Sequence, residues 1–316
     1  MTTAGGSGVE PAQIRLLQIQ TQSACNGRCI MCPYCQTRQR LPQGVMEWSL
    51  FTKVIDDAAT HRSLRSVSLM LQNEPLLDRR LPEAVAYVHA LRPNIGVSIA
   101  TNGELLTRQV FDDLVAAGLT SLIFSVNALR RDTFARVEPG LDYDGVMANL
   151  AALRDGPRPT IPVLVKMLAI SENEAEMTSS EAAVDFVLPL KSQGIRVSLD
   201  PISNRAGSLL RYEELLVRSE GQSSHHKRVC EDLFGHLNVL FNGDVIGCCA
   251  DWERKSVLGN LATSSVDDIW MGREAQRRRR LVLDAHYASL DPCRTCSQAA
   301  NILAARAAGT ASQTQG

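Results

Sequence analysis

Residues 14–35 read Ile14-Arg-Leu-Leu-Gln-Ile-Gln-Thr21-Gln-Ser-Ala-Cys25-Asn-Gly-Arg-Cys29-Ile-Met-Cys32-Pro-Tyr-Cys35. An apolar, β-like run ends directly in a loop that holds four of the chain's nine cysteines. Cys230, Cys248, Cys249, Cys293 and Cys296 lie in the last third, and none falls between Cys35 and Cys230. Small buried thiols would scatter along a chain. These are grouped, and grouped thiols in a chain without a secretory leader bind metal or do chemistry rather than form disulfides. No basic start followed by an apolar stretch opens the sequence, so a cytoplasmic location is expected.

Around this loop the chain alternates short β-like runs with amphipathic stretches. The strand candidates are 14–21, 66–70, 96–101, 121–127, 162–170 and 196–201. Helical periodicity fills 48–59, 83–91, 108–117, 143–154 and 181–193 between them. Strands alternating with helices predict parallel βαβ units. Six are too few for a closed eight-stranded barrel, so an open, partial (β/α)6 barrel is expected, with functional residues at the carboxyl ends of its strands. After Pro201 the pattern changes. Residues 203–227 are polar, and 236–241, Asn242-Gly243 and 244–248 read as a hairpin turning on Asn-Gly. A helical segment from about 266 to 284 leads to Asp291-Pro292-Cys293. The expected organisation is a flexible start over 1–13, the partial barrel over 14–205, a small hairpin-plus-helix domain over 206–305 and a frayed tail over 306–316.

The bulk numbers exclude little else. The chain has 316 residues, 33 Lys+Arg against 34 Asp+Glu, a net charge of −1 and 45% hydrophobic residues. That length suits about two domains. Balanced charge argues against a phosphate-gripping nucleic-acid binder, and no apolar run approaches the ~20 residues of a membrane span.

Cys25, Cys29 and Cys32 suit a four-iron cluster with one iron left for another ligand. By spacing alone, Cys35 leaves two rivals open: a four-cysteine zinc site or a closed ferredoxin-like cluster. The second set, Cys230, Cys248, Cys293 and Cys296, fits zinc or a second iron–sulfur cluster.

The Cys25-x3-Cys29-x2-Cys32 spacing after strand one of a partial barrel resembles the radical SAM superfamily. Gln72-Asn73-Glu74-Pro75 follows strand two, where that family usually carries Gly-Gly-Glu-Pro. Thr101-Asn102-Gly103 follows strand three, and Ser125-Val126-Asn127 ends strand four. Two departures stand: Met31 replaces the usual aromatic, and both glycines of the second motif are missing. The resemblance implies that Cys25, Cys29 and Cys32 hold a [4Fe-4S] cluster whose open iron is chelated by SAM. It further implies that Glu74 takes the SAM amino group and that Asn102, Ser125 and Asn127 lie near the ribose. The later cysteines, with Leu258-Gly-Asn-Leu261 and Val266-Asp-Asp-Ile-Trp270, resemble the twitch module, a shortened SPASM domain. That likeness implies one auxiliary [4Fe-4S] cluster on Cys230, Cys248, Cys293 and Cys296.

Two cysteines remain. Cys35 reads as an incidental thiol near the cluster loop. Cys249 adjoins Cys248 near a strand end, and strand alternation would send it the opposite way, into the substrate cavity. This combination resembles the radical SAM epimerases of aminoglycosides, in which the adenosyl radical removes hydrogen from one face and a thiol returns it to the other. Cys249 would be that donor. SAM would be a co-substrate, and a flavodoxin- or ferredoxin-like protein would deliver single electrons. A cationic aminoglycoside should meet carboxylates, for which Asp200 and Asp251 are candidates, with Trp252 against a sugar ring; a lone Asp is more commonly a turn residue. Arg277–Arg280 reads as a solvated helix face. The rivals are a radical SAM dehydrogenase of an aminocyclitol or sugar, a peptide maturase, and an electron-transfer protein with two closed clusters.

Overall fold

The computed structural model describes residues 12–217 and 229–313. Six strands, β1 (Leu16–Ile19), β2 (Ser66–Ser68), β3 (Gly96–Thr101), β4 (Ser121–Ser125), β5 (Val163–Ala169) and β6 (Arg196–Pro201), pair in parallel and in sequence order. The register stacks Leu17 on Val67, Val67 on Val97, and Phe124 on Val165. These side chains are buried with Ile19, Ile99 and Leu122 against the helices that connect the strands. Helix Trp48–Ala59 adds Phe51, Val54, Ile55 and Ala58 to the same core.

The opposite face mixes small and polar residues, among them Gln18, Ser98, Ala100, Ser125 and Lys166, with the apolar Leu16, Ile123, Leu164 and Leu168, and all of these are only half-buried. Strand alternation therefore separates a buried, largely apolar outer face from a half-buried, mixed inner one. The inner face is where an open barrel can receive a ligand. The partial barrel expected from the sequence is present.

The C-terminal hairpin is not set apart from this sheet. β7 (His236–Val239) runs parallel to β1, pairing Leu17 with Leu237 and Ile19 with Val239. β8 (Asp244–Ile246) and β9 (Val257–Asn260) continue it antiparallel, giving one nine-stranded sheet in the order β6-β5-β4-β3-β2-β1-β7-β8-β9. An unpaired β1 edge would expose its backbone donors and acceptors, and β7 satisfies them. The hairpin loop is Phe241-Asn242-Gly243 rather than a two-residue Asn-Gly turn. The Leu240 amide donates to the Asp244 carbonyl at 2.8 Å, and only Gly243 takes a positive φ, +87°.

Three more expectations need correction. The helical segment after 266 is two helices, Val266–Trp270 and Arg273–Leu283. The chain beyond Ala305 stays helical to Gln313. The Arg277–Arg280 run is not a solvated face, because Arg278 and Arg279 are buried with Ala275 and Val282. Arg279 lies 4.0 Å over the Trp270 ring and donates to the Leu233 and Trp270 carbonyls. Arg278 donates to the Asp291 and Lys255 carbonyls. Residues 1–11 of the expected flexible start, 218–227 of the polar stretch with residue 228 after it, and 314–316 of the tail lie outside the described residues.

Candidate active site

The cysteine loop leaves β1 at the carboxyl ends of the strands and is fastened on three sides. The Cys25 amide donates to the Tyr34 hydroxyl at 2.8 Å. The Arg28 and Ile30 amides donate to the Pro139 and Val137 carbonyls at 2.8 and 3.0 Å. The Glu74 amide donates to the Ala24 carbonyl, and Gln22 Nε2 donates to the Glu74 carbonyl at 2.6 Å. The loop after β2 and the cysteine loop are thus paired backbone to backbone.

Burial pushes the Cys25 thiol up to about 12 and the Cys29 and Cys32 thiols above their ordinary values. Buried thiols of this kind become thiolates only when a metal supplies the compensating charge. Among the described residues, only Asp232, Cys248 and Cys249 bring three ligand atoms within 4.8 Å of one another. Cys25, Cys29 and Cys32 are spread more widely than the about 3.8 Å sulfur separation that tetrahedral zinc with ~2.3 Å bonds imposes. The donor set fits a polynuclear iron cluster. Cys35 lies in the short helix Tyr34–Thr37, near Cys25 and Cys32.

Glu74 is 2% exposed. Its carboxylate accepts from Thr101 Oγ1 at 2.7 Å, from the Asn102 amide at 2.8 Å and from the Leu76 amide at 3.0 Å. Burial still outweighs these donors and raises its pKa to about 7. A carboxylate has about four lone-pair positions, so one more donor, such as an amino group, can be accepted. Asn102 donates to Asn26 in the cysteine loop at 2.8 Å, and Asn26 donates to Glu104 at 2.8 Å. The intervening turn needs glycine: Gly103 has φ +81°, and a Cβ there would sit 2.1 Å from the Phe124 ring. Glu74 and Asn102 are therefore gathered beside the cysteines.

The other expected SAM contacts divide. Ser125 ends β4 on the half-buried inner face. Asn127 is committed elsewhere: its side chain donates to Glu138 at 2.8 Å and accepts from the Leu168 amide at 2.9 Å, joining β4 to β5. One N–H of that amide remains beyond these two bonds. Glu138 also accepts from the Asn127 amide at 3.0 Å, and burial pushes its pKa up to about 7.

The second cysteine set surrounds Asp232. Burial raises the Cys230, Cys293 and Cys296 thiols, with Cys293 near 11. Contact with Cys249, and then burial, raises Cys248. Cys248 Sγ lies 3.0 Å from Asp232 Oδ2 and Cys249 Sγ lies 3.8 Å from it. Burial acts to raise Asp232, but His236 Nδ1, 3.2 Å away, and the two thiols together hold it below its usual range. The expected divergence of Cys248 and Cys249 does not occur. β8 ends at Ile246, so both cysteines lie in the following turn, where strand alternation no longer applies.

The expected substrate carboxylates move as well. Asp251 is fully buried and accepts from the Lys255 amide, the Ser256 amide and Ser256 Oγ at 3.1, 2.7 and 2.6 Å. It builds the turn and cannot face a substrate. Trp252 is 8% exposed, too enclosed to cover a sugar ring. Asp200 lies on the inner face but pairs with Lys166 at 2.8 Å. Tyr34, Asp232 and Glu138 had not been singled out from the sequence. Only Asp232 left a signal, two residues after Cys230.

An open parallel barrel with three half-buried cysteines at its mouth, joined to a second cysteine set, defines an iron–sulfur enzyme scaffold. The chain belongs to the radical SAM superfamily, whose family model matches residues 19–181, and an iron–sulfur cluster-binding (SPASM) domain model matches residues 230–297. Its cofactors are SAM, the iron–sulfur cluster of the barrel and the cluster of the SPASM region; Cys25, Cys29 and Cys32 would hold the barrel cluster, and Cys230, Cys248, Cys293 and Cys296 the SPASM cluster. The chain is 22% identical over 282 residues to the S-adenosyl-L-methionine-dependent 2-deoxy-scyllo-inosamine dehydrogenase of Niallia circulans, covering 89% of this chain and 92% of that one. It is 31% identical over 169 residues to the GTP 3′,8-cyclase of Streptomyces coelicolor, covering 50% of this chain and 47% of that enzyme. The crystal structure of BtrN in complex with AdoMet and 2-DOIA superposes with a TM-score of 0.62 at 19% identity, covering 91% and 94% of the two chains. SuiB of Streptococcus suis bound to its precursor peptide superposes at 0.66 with 15% identity, covering 92% of this chain and 71% of that one. The electron-carrier reading gives way to that of a radical SAM enzyme.

Proposed function

We propose that this enzyme is an epimerase that inverts one carbon of an aminoglycoside amino sugar, converting neomycin C to neomycin B. When bound, SAM and the three-cysteine cluster supply a 5′-deoxyadenosyl radical that removes one hydrogen atom from the substrate. Cys249 then gives its thiol hydrogen to the opposite face of the carbon radical: the S–H bond breaks, a C–H bond forms, and a thiyl radical stays on the protein. One electron from a flavodoxin- or ferredoxin-like donor and one proton restore the thiol. Glu74 orients the amino group of SAM, Asn102 holds the cysteine loop, and the buried Asn127–Glu138 pair keeps the strand ends fixed.

The observation that carries this reading is the position of Cys249. It is the cysteine that the two cluster sets leave over in the SPASM region, and its carbonyl accepts from Gln72 Nε2 at 2.7 Å, beside Glu74. That contact supports a thiol-bearing turn held against the SAM side of the molecule. Turnover in deuterated water tests it. The thiol hydrogen exchanges with solvent, so the epimerase reading expects one deuterium on the inverted carbon, and inverted product without deuterium rejects Cys249 as the donor.

A second reading is a dehydrogenase of an aminocyclitol or sugar alcohol. It is supported by the likeness to the inosamine dehydrogenase over most of both chains and by the Cys249 thiol lying on the Asp232 side with Cys248. There Cys249 would be idle, and the same experiment would return a two-electron-oxidised product.

A further inference from the structure

A cavity of about 580 Å³ opens between the barrel and the C-terminal region, within the size range of small-molecule sites. It is lined from three directions: Gln36 and Arg40 beyond the cysteine loop, Ala206–Ser208 and Leu210 beyond β6, and Glu253, Lys255 and Thr295 from the C-terminal region. Glu253 is the one carboxylate among the lining residues. It accepts from Arg40 Nη2 at 2.8 Å and Nη1 at 3.2 Å. The two partners differ in exposure: the Arg40 side chain is 59% exposed and that of Glu253 26%.

We propose that Glu253 receives an ammonium group of the polycationic substrate, and that Arg40 occupies that place until the substrate enters. The inference rests on the aminoglycoside reading and deepens it. Asp251 and Asp200, the other acidic candidates, are taken by Ser256 and Lys166. A half-buried carboxylate needs a cation beside it, whereas an exposed guanidinium is solvated as well by water, so another cation can take the place of Arg40 at Glu253. An ammonium presents three rotatable donors and replaces the planar fork without a fixed geometry. Lys255 lines the same cavity, and its charge confines the incoming ammonium to the Glu253 side. Glu253 follows Cys249 by four residues in the loop between β8 and β9, so an ammonium held there sets the distance between the sugar and the thiol.

The test is equilibrium binding of neomycin C to the anaerobic, cluster-loaded enzyme with SAM present. Glu253→Gln is expected to weaken binding about tenfold, equivalent to about 1.4 kcal/mol. Arg40→Gln is expected to tighten it several-fold, because a competing cation is gone. The double variant should bind like Glu253→Gln alone. A pair that only braces the fold would make both single variants bind more weakly or neither, and either result overturns the inference. Wild-type enzyme that does not bind neomycin C would instead reject the aminoglycoside reading beneath it. Unchanged cluster absorbance and circular dichroism confirm that the variants fold.

Discussion

The side-chain amide of Gln72 donates to the backbone carbonyl of Cys249 at 2.7 Å, joining two turns 177 residues apart. Gln72 has φ +60°, a left-handed conformation that favours glycine. The superfamily's usual glycine would take that conformation without strain but could not reach Cys249. Arg254, four residues before Leu258, donates in turn to Gln72 Oε1 and to the Asp251 carbonyl. The departure from Gly-Gly-Glu-Pro is therefore a contact between the SAM side and the cysteine turn.

Gln72→Gly should separate these effects. Relief of the strained φ, of order 1 kcal/mol, offsets the lost hydrogen bond, so thermal stability should stay nearly unchanged. Product formation should fall about tenfold while SAM cleavage continues, because the turn carrying Cys249 is no longer held. The ratio of 5′-deoxyadenosine to product measures this. A ratio that stays at the wild-type value removes the coupling role from Gln72.

Cys249→Ala should abolish inverted product and leave SAM cleavage within a few-fold of wild type. The two neighbouring thiols both lie near Asp232, so the auxiliary cluster's EPR signal must be read alongside. It should persist in Cys249→Ala and disappear in Cys248→Ala. Loss of the signal in Cys249→Ala would make that thiol a ligand and end its role as hydrogen donor.

The buried carboxyls of Glu74 and Glu138 impose a pH dependence on stability. Each has a folded pKa of about 7 against 4.5 for the ordinary group. Between those values the folded state binds more protons than the unfolded chain, so stability falls as pH rises through this window. At 1.36 kcal/mol per unit the loss is on the order of 3 kcal/mol for each group. The unfolding midpoint should drop between pH 5 and 7.5, and Glu138→Gln should flatten the slope by about half. A midpoint that rises over this interval contradicts the assigned direction.

The legible and illegible parts of this molecule differ in range. The βα alternation is a local, periodic signal, and β6 occupies the 196–201 stretch read for it. The cysteine spacing is equally local. The pairing of β7 with β1 has no local signature, since any apolar strand could fill that edge. Asp251 and Asp200 looked alike in sequence, yet one is saturated by Ser256 and the other meets Lys166 from the adjacent strand. Their fates depend on partners that only the fold selects. The arginine run is a different failure, because the signal was present: Ala275, Arg278, Arg279 and Val282 follow the i, i+3, i+4, i+7 pattern of a buried stripe.

That stripe gives the last prediction. Arg279→Met keeps the apolar stem but leaves the Leu233 and Trp270 carbonyls without their donor and removes the charge stacked on the Trp270 ring. Burial already lowers the Arg279 pKa to about 10, a mark of how little water reaches it. Two unsatisfied buried acceptors should cost about 3 kcal/mol. Arg277 is half-exposed and pairs with Glu274, so Arg277→Met should change stability by less than about 0.5 kcal/mol. Urea unfolding of the two variants at equal cluster content measures the difference. Equal midpoints would return the whole run to the solvent-facing role that its charge suggests. A loss confined to Arg279→Met would show that the guanidinium holds the Arg273–Leu283 helix against Leu233 and the start of the second cysteine set.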